Sequence, residues 1–263
     1  MRLRRSILAV TSLLAALACT LTWSPGPAEA QVVFDNAVDS GFHWSVTSVT
    51  TPGFVVGSGA NHAAMIMVAM SGNNATNITA SLGGVPGTLV GGSDSGTTAS
   101  IRTLIFQVIN PPSGAQTATV SWTTVMHADV GVITVTGADQ TAPVTNGRFT
   151  AFNASPAPAT SLTIPSSPGD RTASIGFTRN QWVPPGSNQT IAWGADSSSV
   201  KGDIGGGTGN TTHTWTDYYV GVPHSVSGAN FHAAASGGPA ADFTVSASPA
   251  SQTVVPGGSR RTR

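Results

Sequence analysis

Beyond residue 30 this chain has no glutamate, no cysteine and one lysine, Lys201. Glu29 and Cys19, the only residues of their types, both lie in the N-terminal leader. Long helices are written with Glu, Lys, Leu and Ala, and two of these four are all but missing here. What remains is rich in Gly, Ser, Thr, Val, Ala, Asn and Pro, the composition of short strands joined by tight turns. The same absences remove Glu as a general acid and Cys as a nucleophile or disulfide partner. Stability has to come from a packed interior, and the 233 residues beyond the leader are enough to build one.

The leader reads as an export signal. Arg2, Arg4 and Arg5 form a positive start, Ser6 to Trp23 a mostly apolar run, and Ser24-Pro25-Gly26-Pro27 breaks it. Ala28-Glu29-Ala30 is a small-residue cleavage site, which makes 1–30 a signal peptide and places the protein outside the cell or on its surface. Leu17-Ala18-Cys19 as a lipoprotein signal and Arg4-Arg5 as a twin-arginine signal are the weaker export readings. No later stretch approaches the ~20 apolar residues of a spanning helix, so no membrane span is expected after signal removal. With Arg2, Arg4, Arg5 and Glu29 removed, 8 basic and 10 acidic residues remain. That balance offers no basic patch for phosphates, which argues against nucleic acid as a partner.

Strand patterns follow one another at short intervals. Trp44-Ser-Val-Thr-Ser-Val49 alternates apolar and polar. Ala63 to Met70 is apolar throughout and bounded by Gly and Asn, as a central strand buried on both faces would be. Ile101–Ile109, Thr117–Trp122, Val130–Thr136, Leu162–Ile164, Ala173–Thr178, Ile191–Trp193, Thr212–Val222 and Ala229–Ala235 continue the series. Ten or more strands without a long helix predict an all-β fold, a two-sheet antiparallel β-sandwich of jelly-roll-like form, over 31–235. A closed barrel is the second choice. Residues 236–241 (SGGPAA) have linker composition, and 242–263 form a short terminal segment.

Two stretches resemble known modules. DFTVSASPASQTVVPGGS, residues 242–259, is similar to the opening strands of bacterial immunoglobulin-like repeats. A sandwich of that kind needs ~100 residues, so the resemblance implies a truncated repeat or a residual tail. Phe34-Asp35-Asn36, Leu82-Gly-Gly-Val-Pro86, Val108-Ile-Asn-Pro-Pro-Ser-Gly114 and Gly137-Ala-Asp-Gln-Thr-Ala-Pro143 resemble an N-terminal β-sandwich module of exported bacterial multidomain proteins. That likeness implies an accessory module and carries over no functional residue.

Candidate sites rest on side-chain chemistry. Trp182 lies in Thr178-Arg-Asn-Gln-Trp-Val-Pro-Pro-Gly186, where a loop indole would stack on a sugar ring while Arg179, Asn180 and Gln181 bind hydroxyls. Tyr218-Tyr219 puts one ring on each face of its strand. Trp44, Trp122, Trp193 and Trp215 fall in strand patterns and read as core. His213 and Asp217, four apart on a strand, share a face and form a candidate metal pair, with His224 and His232 following; scattered surface histidines are the preferred reading and the metal pair its alternative. A structural calcium held by loop Asp carboxylates is a further metal reading. Asp35, Asp39, Asp94, Asp139, Asp170 and Asp203 stand in turn-like contexts, and Asp129 and Asp217 nearer to strands. The expected function is a non-catalytic exported module that binds a glycan or another surface polymer. A polysaccharide-active or metal-dependent hydrolase and a purely structural envelope or appendage protein are the alternatives, and enzymatic activity stays open.

Overall fold

The strand-and-turn composition is realised without a helix among the described residues of the computed structural model. These are residues 30–235 except 73, 97–99, 155–158, 181, 184–188, 195–199, 207–208 and 218, with backbone alone at Trp182 and Val183. All belong to the unit Glu29–Ala235. Residues 1–29, nearly all of the expected signal peptide, and 236–263, the expected linker and terminal segment, fall outside the described residues.

The strands in order are β1 (Val33–Asp39), β2 (His43–Thr50), β3 (Phe54–Val56), β4 (Ala63–Ser71), β5 (Thr79–Leu82), β6 (Val85–Pro86), β7 (Thr88–Asp94), β8 (Ile101–Ile109) and β9 (Gly114–Gln116). They continue with β10 (Ala118–Thr136), β11 (Val144–Phe152), β12 (Ala159–Ile164), β13 (Arg171–Thr178), β14 (Trp182–Val183), β15 (Gln189–Trp193), β16 (Val200–Gly206), β17 (Thr211–Asp217) and β18 (His224–Phe231). The first sheet runs β6-β5-β10-β4-β8-β7, with β1 and β2 pairing the other edge of β10; the second runs β11-β18-β13-β16-β15. A three-stranded sheet, β12-β17-β14, and the β3-β9 pair complete the set, every pairing antiparallel. The two large sheets form the β-sandwich that the alternation predicts.

β4 shows how its sequence reaches this place. Met65, Met67 and Ala69 on one face join Ile105, Ile133, Ile175, Phe177 and Phe231 in the core between the large sheets. Ile66, Val68 and Met70 on the other face join Phe106, Val120, Val132, Val49 and Leu82 in a second core. That second core lies inside the first sheet itself, which curls so that β2 and β5 cover the back of β4 and β8. A strand buried on both faces loses the polar half of its alternation, which is why 63–70 reads as an unbroken apolar run.

Sequence reading separated 117–122 from 130–136, but they are one 19-residue strand, β10. The polar stretch Thr123-Thr124 interrupts the apolar pattern, not the backbone. Its first half pairs β5 and its second half β4, so the strand passes from the curl into the sandwich.

The second sheet is also covered on its outer face. Leu162 and Trp215 from the three-stranded sheet meet Val226 of β18 there, with Ile191 alongside. This outer layer is mixed. Thr172, Ser174, Thr178, Lys201, Asp203, His213, Asp217 and His224 are all buried.

Candidate functional site

The buried polar layer is organised by two aspartates. Asp203 on β16 receives the backbone N–H of Ser174 at 3.0 Å and its hydroxyl at 2.6 Å. His213 Nδ1 stands 2.9 and 3.0 Å from the two carboxylate oxygens, and its Nε2 stands 2.8 Å from Thr172 Oγ1. Trp215 Nε1 donates to Ser174 Oγ at 2.9 Å. The Gln189 amide donates to Asp203 Oδ2 and accepts from Thr214 N, which ties β15 to β17. The order carboxylate, imidazole, hydroxyl is that of a nucleophilic relay. Yet Asp203, His213 and Thr172 are all 0% exposed, so no substrate meets the hydroxyl.

Asp217 performs a similar task at the far end of β17. Its carboxylate accepts the Thr178 hydroxyl and, at 3.0 Å, the backbone N–H of Tyr219. His224 Nε2 lies 3.5 Å from it, while His224 Nδ1 meets Thr160 Oγ1 at 2.8 Å. Burial pushes the His224 imidazole below its ordinary range, against the opposing pull of Asp217. The one-face placement expected of His213 and Asp217 is present, but Trp215 lies between them on that face. Each is bonded to its own neighbours, and no group of three potential metal ligands occurs among the described residues. Two histidines read as surface residues, His213 and His224, are in fact fully buried.

The same strand end gathers the sugar-platform residues expected from sequence. β14 pairs Trp182 with Asp217, so Trp182 stands beside the strand that leads to Tyr219. Arg179 and Asn180 follow β13, the first exposed and the second partly so, and Tyr219 is 64% exposed. The backbone therefore brings Arg179, Asn180, Trp182 and Tyr219 to one edge. Gln181, Tyr218 and the Trp182 side chain lie outside the described residues.

A second locus was not anticipated. Trp122, Trp193 and Trp215 are core as expected, but Trp44 is 70% exposed. Ser45 after it has φ +55°, a left-handed conformation unusual for a residue with a Cβ. That reversal interrupts the alternation and delivers the Trp44 ring to the surface. Ser45 is held by its backbone N–H, which donates to His127 Nδ1 at 2.9 Å. The Trp44 ring meets His127 edge-on at 4.7 Å between centroids and Phe42 edge-on at 5.2 Å. Phe42 in turn rests 6.1 Å from Phe177 of the main core. The exposed indole is thus met edge-on by two rings, of which Phe42 packs against the main core.

Below this cluster, two residues along the same face of β10 from His127, lies Asp129. It is 5% exposed, with Ser40 Oγ 3.2 Å from its carboxyl. Burial, reinforced by the negative charge of Asp39, pushes its pKa up to about 7. Asp39 pairs with Gly131 across the β1–β10 ladder, diagonal to Asp129. A signal in the sequence for Asp129 was its place, shared with Asp217, close to a strand pattern rather than in a turn; for Trp44 there was none, because alternation alone assigns it to a buried face.

Compared with known proteins, the chain matches no family model, no curated protein and no solved structure.

Proposed function

We propose that this chain is an exported, non-catalytic β-sandwich module that binds a neutral glycan or related surface polymer, with Trp44 as its stacking platform. One observation carries the reading: a large indole left 70% exposed while the Phe42 and His127 rings meet it edge-on. A flat apolar ring with few torsions to freeze gives large contact area at low entropic cost. Sugar rings offer a matching apolar C–H face. Along the same strand Ser45, Thr47 and Ser48 are exposed hydroxyl residues that suit sugar hydroxyls without adding charge.

Glycoside hydrolysis would ask two carboxyl groups to flank the scissile bond. Asp129 is the carboxyl nearest the platform whose pKa is raised as an acid catalyst's would be, and it is buried against Ser40. Binding without cleavage is the better fit.

The test is affinity electrophoresis against a panel of soluble polysaccharides (a β-glucan, a xylan and a galactomannan), with Trp44→Ala and Trp182→Ala beside the parent. A central stacking Trp is worth at least about 2 kcal/mol, so Trp44→Ala should weaken the retained polymer by about 30-fold. Retention unchanged in Trp44→Ala but lost in Trp182→Ala would move the platform to the β14–β17 edge. No retention on any polymer would remove the reading.

A further inference from the structure

We propose that His127 is the positioning residue of the Trp44 platform and makes binding there acid-labile. The inference rests on the platform reading above but has its own observable.

A backbone N–H can only donate. The 2.9 Å bond from Ser45 N to His127 Nδ1 therefore requires Nδ1 to be the unprotonated ring nitrogen. This bond restrains Ser45 in its left-handed conformation, at φ +55°. Serine does not hold that conformation by preference, and Ser45 is exposed, so packing does little to enforce it. The backbone at Ser45 in turn sets the direction of the adjacent Trp44 ring. When His127 takes up a proton, Nδ1 becomes a donor and faces another donor. The bond is lost, Ser45 is released towards ordinary strand geometry, and Trp44 swings off its support. The edge-on contact between the two rings survives protonation, because a cation near an indole is attracted rather than repelled. What fails is the backbone tether.

Of the groups around the tether, His127 is the one bonded to Ser45 N, and Asp129 is a second whose charge can change nearby. On its own strand Asp129 lies two residues on, and Asp39 of β1 raises the Asp129 pKa. On β2 the nearest titratable group is His43, whose Nε2 is engaged with Ser40 O at 3.1 Å. On β4 the partner across from His127 is Ser71, and β13 contributes Phe177 through Phe42. Neither of the last two titrates in this range.

The experiment uses the ligand-free protein labelled with nitrogen-15. The Trp44 indole N–H resonance, assigned with Trp44→Phe, is followed through an acid titration alongside the His127 ring's own resonances. It should move with the same midpoint as the His127 ring. His127→Asn keeps an acceptor where Nδ1 was and cannot titrate, so its Trp44 signal should stay at the neutral position throughout. His127→Phe keeps a ring and removes the acceptor, so its signal should sit near the acid position at every pH. Asp129→Asn should leave the parent titration in place. A Trp44 signal that ignores pH, or that titrates equally in His127→Asn, overturns the proposal. A titration that vanishes in Asp129→Asn assigns it to that carboxyl and overturns it as well. If the polysaccharide panel gives a retained polymer, affinity should fall about tenfold at the acid end in the parent and hold in His127→Asn. If it gives none, the platform reading fails while the resonance still decides the tether.

Discussion

Gly131→Ala should destabilise the protein, against the usual sign for such a change. In ordinary strand geometry, replacing Gly by Ala gains about 0.5–1 kcal/mol by restricting the unfolded chain. Gly131 has no positive φ that would forbid a side chain. The obstacle is the Trp193 ring. A Cβ at Gly131 would sit 2.0 Å from Trp193 Cε2 and 2.2 Å from Cζ2. The ring would have to retreat by about 1.5 Å to reach normal carbon contact. Its retreat is blocked, because a Cβ at Gly202 of the facing sheet would already stand 2.2 Å from Cε2 and Nε1. The indole is held between two glycines, one in each large sheet. Overpacking of this kind costs about 1–3 kcal/mol, and expelling the ring altogether would cost about 3–5 kcal/mol. With the entropic gain subtracted, the net loss is about 2 kcal/mol, and the melting temperature should drop by about 4–8 °C for a domain of this size. Urea unfolding of Gly131→Ala, Trp193→Val and the double variant measures it. The second substitution removes the obstacle, so Gly131→Ala should cost nearly nothing in the Trp193→Val background. An unchanged or raised stability of Gly131→Ala alone, or an equal cost in both backgrounds, would refute the slot.

Asp203→Ala should cost about 3–5 kcal/mol in the same assay, because it strands His213, Ser174 and the Gln189 amide in a buried layer. Asp203→Asn should cost less, since it keeps an acceptor. Asp129 gives a pH signature of fixed sign. Its folded pKa of about 7 lies above its ordinary value of 3.8, so between these values the folded state holds more protons than the unfolded. Its contribution to stability is complete in acid below the unfolded pKa and is lost as pH rises through about 7. The loss amounts to as much as about 4 kcal/mol. Thermal melts from about pH 5 to about pH 8 should show the parent losing ground to Asp129→Asn as pH rises. Parallel curves would contradict the buried carboxyl.

The strand layout was legible because burial is periodic wherever a sheet has one wet face. β12 alternates exposed and buried over Ala159–Ile164, and β17 buries Thr211, His213, Trp215 and Asp217 in step. Turn chemistry was legible too. Asp139 accepts the backbone N–H groups of Thr141 and Ala142 at 2.7 and 2.8 Å, which holds its carboxyl below the usual range. The reading failed where glycine served space rather than turning. Gly202-Asp-Ile-Gly-Gly206 resembles a turn, yet it is strand β16. Gly202 makes room for Trp193, and a Cβ at Gly205 would meet Thr172 Oγ1 at 2.8 Å and His213 Nε2 at 3.1 Å. Asp203, read as a turn residue, is consequently the centre of a buried network. Trp44 was misplaced for the opposite reason: one serine in a left-handed conformation reverses a face, and no pattern in the side chains announces it.

The charges also explain where recognition can occur. Beyond the leader the chain has ten aspartates and one lysine, and Asp129, Asp170, Asp203, Asp217 and Lys201 are all buried. Asp170 accepts Asn230 Nδ2 and the Ala233 N–H, both at 2.8 Å, and fastens the last strand to the turn before β13. Part of the scarce charge thus lies inside, where Asp203 and Asp217 join the second sheet to β17 of the outer layer. Buried polar networks of this type select one register among alternatives that apolar packing alone would tolerate. That role accounts for the Asp203–His213–Thr172 relay without chemistry: the hydroxyl is a strand fastener with no path to a substrate. A surface stripped of so many of its charges has rings, amides and hydroxyls left to recognise with. This is the repertoire that suits an uncharged polymer, and Trp44 is the largest exposed ring among the described residues.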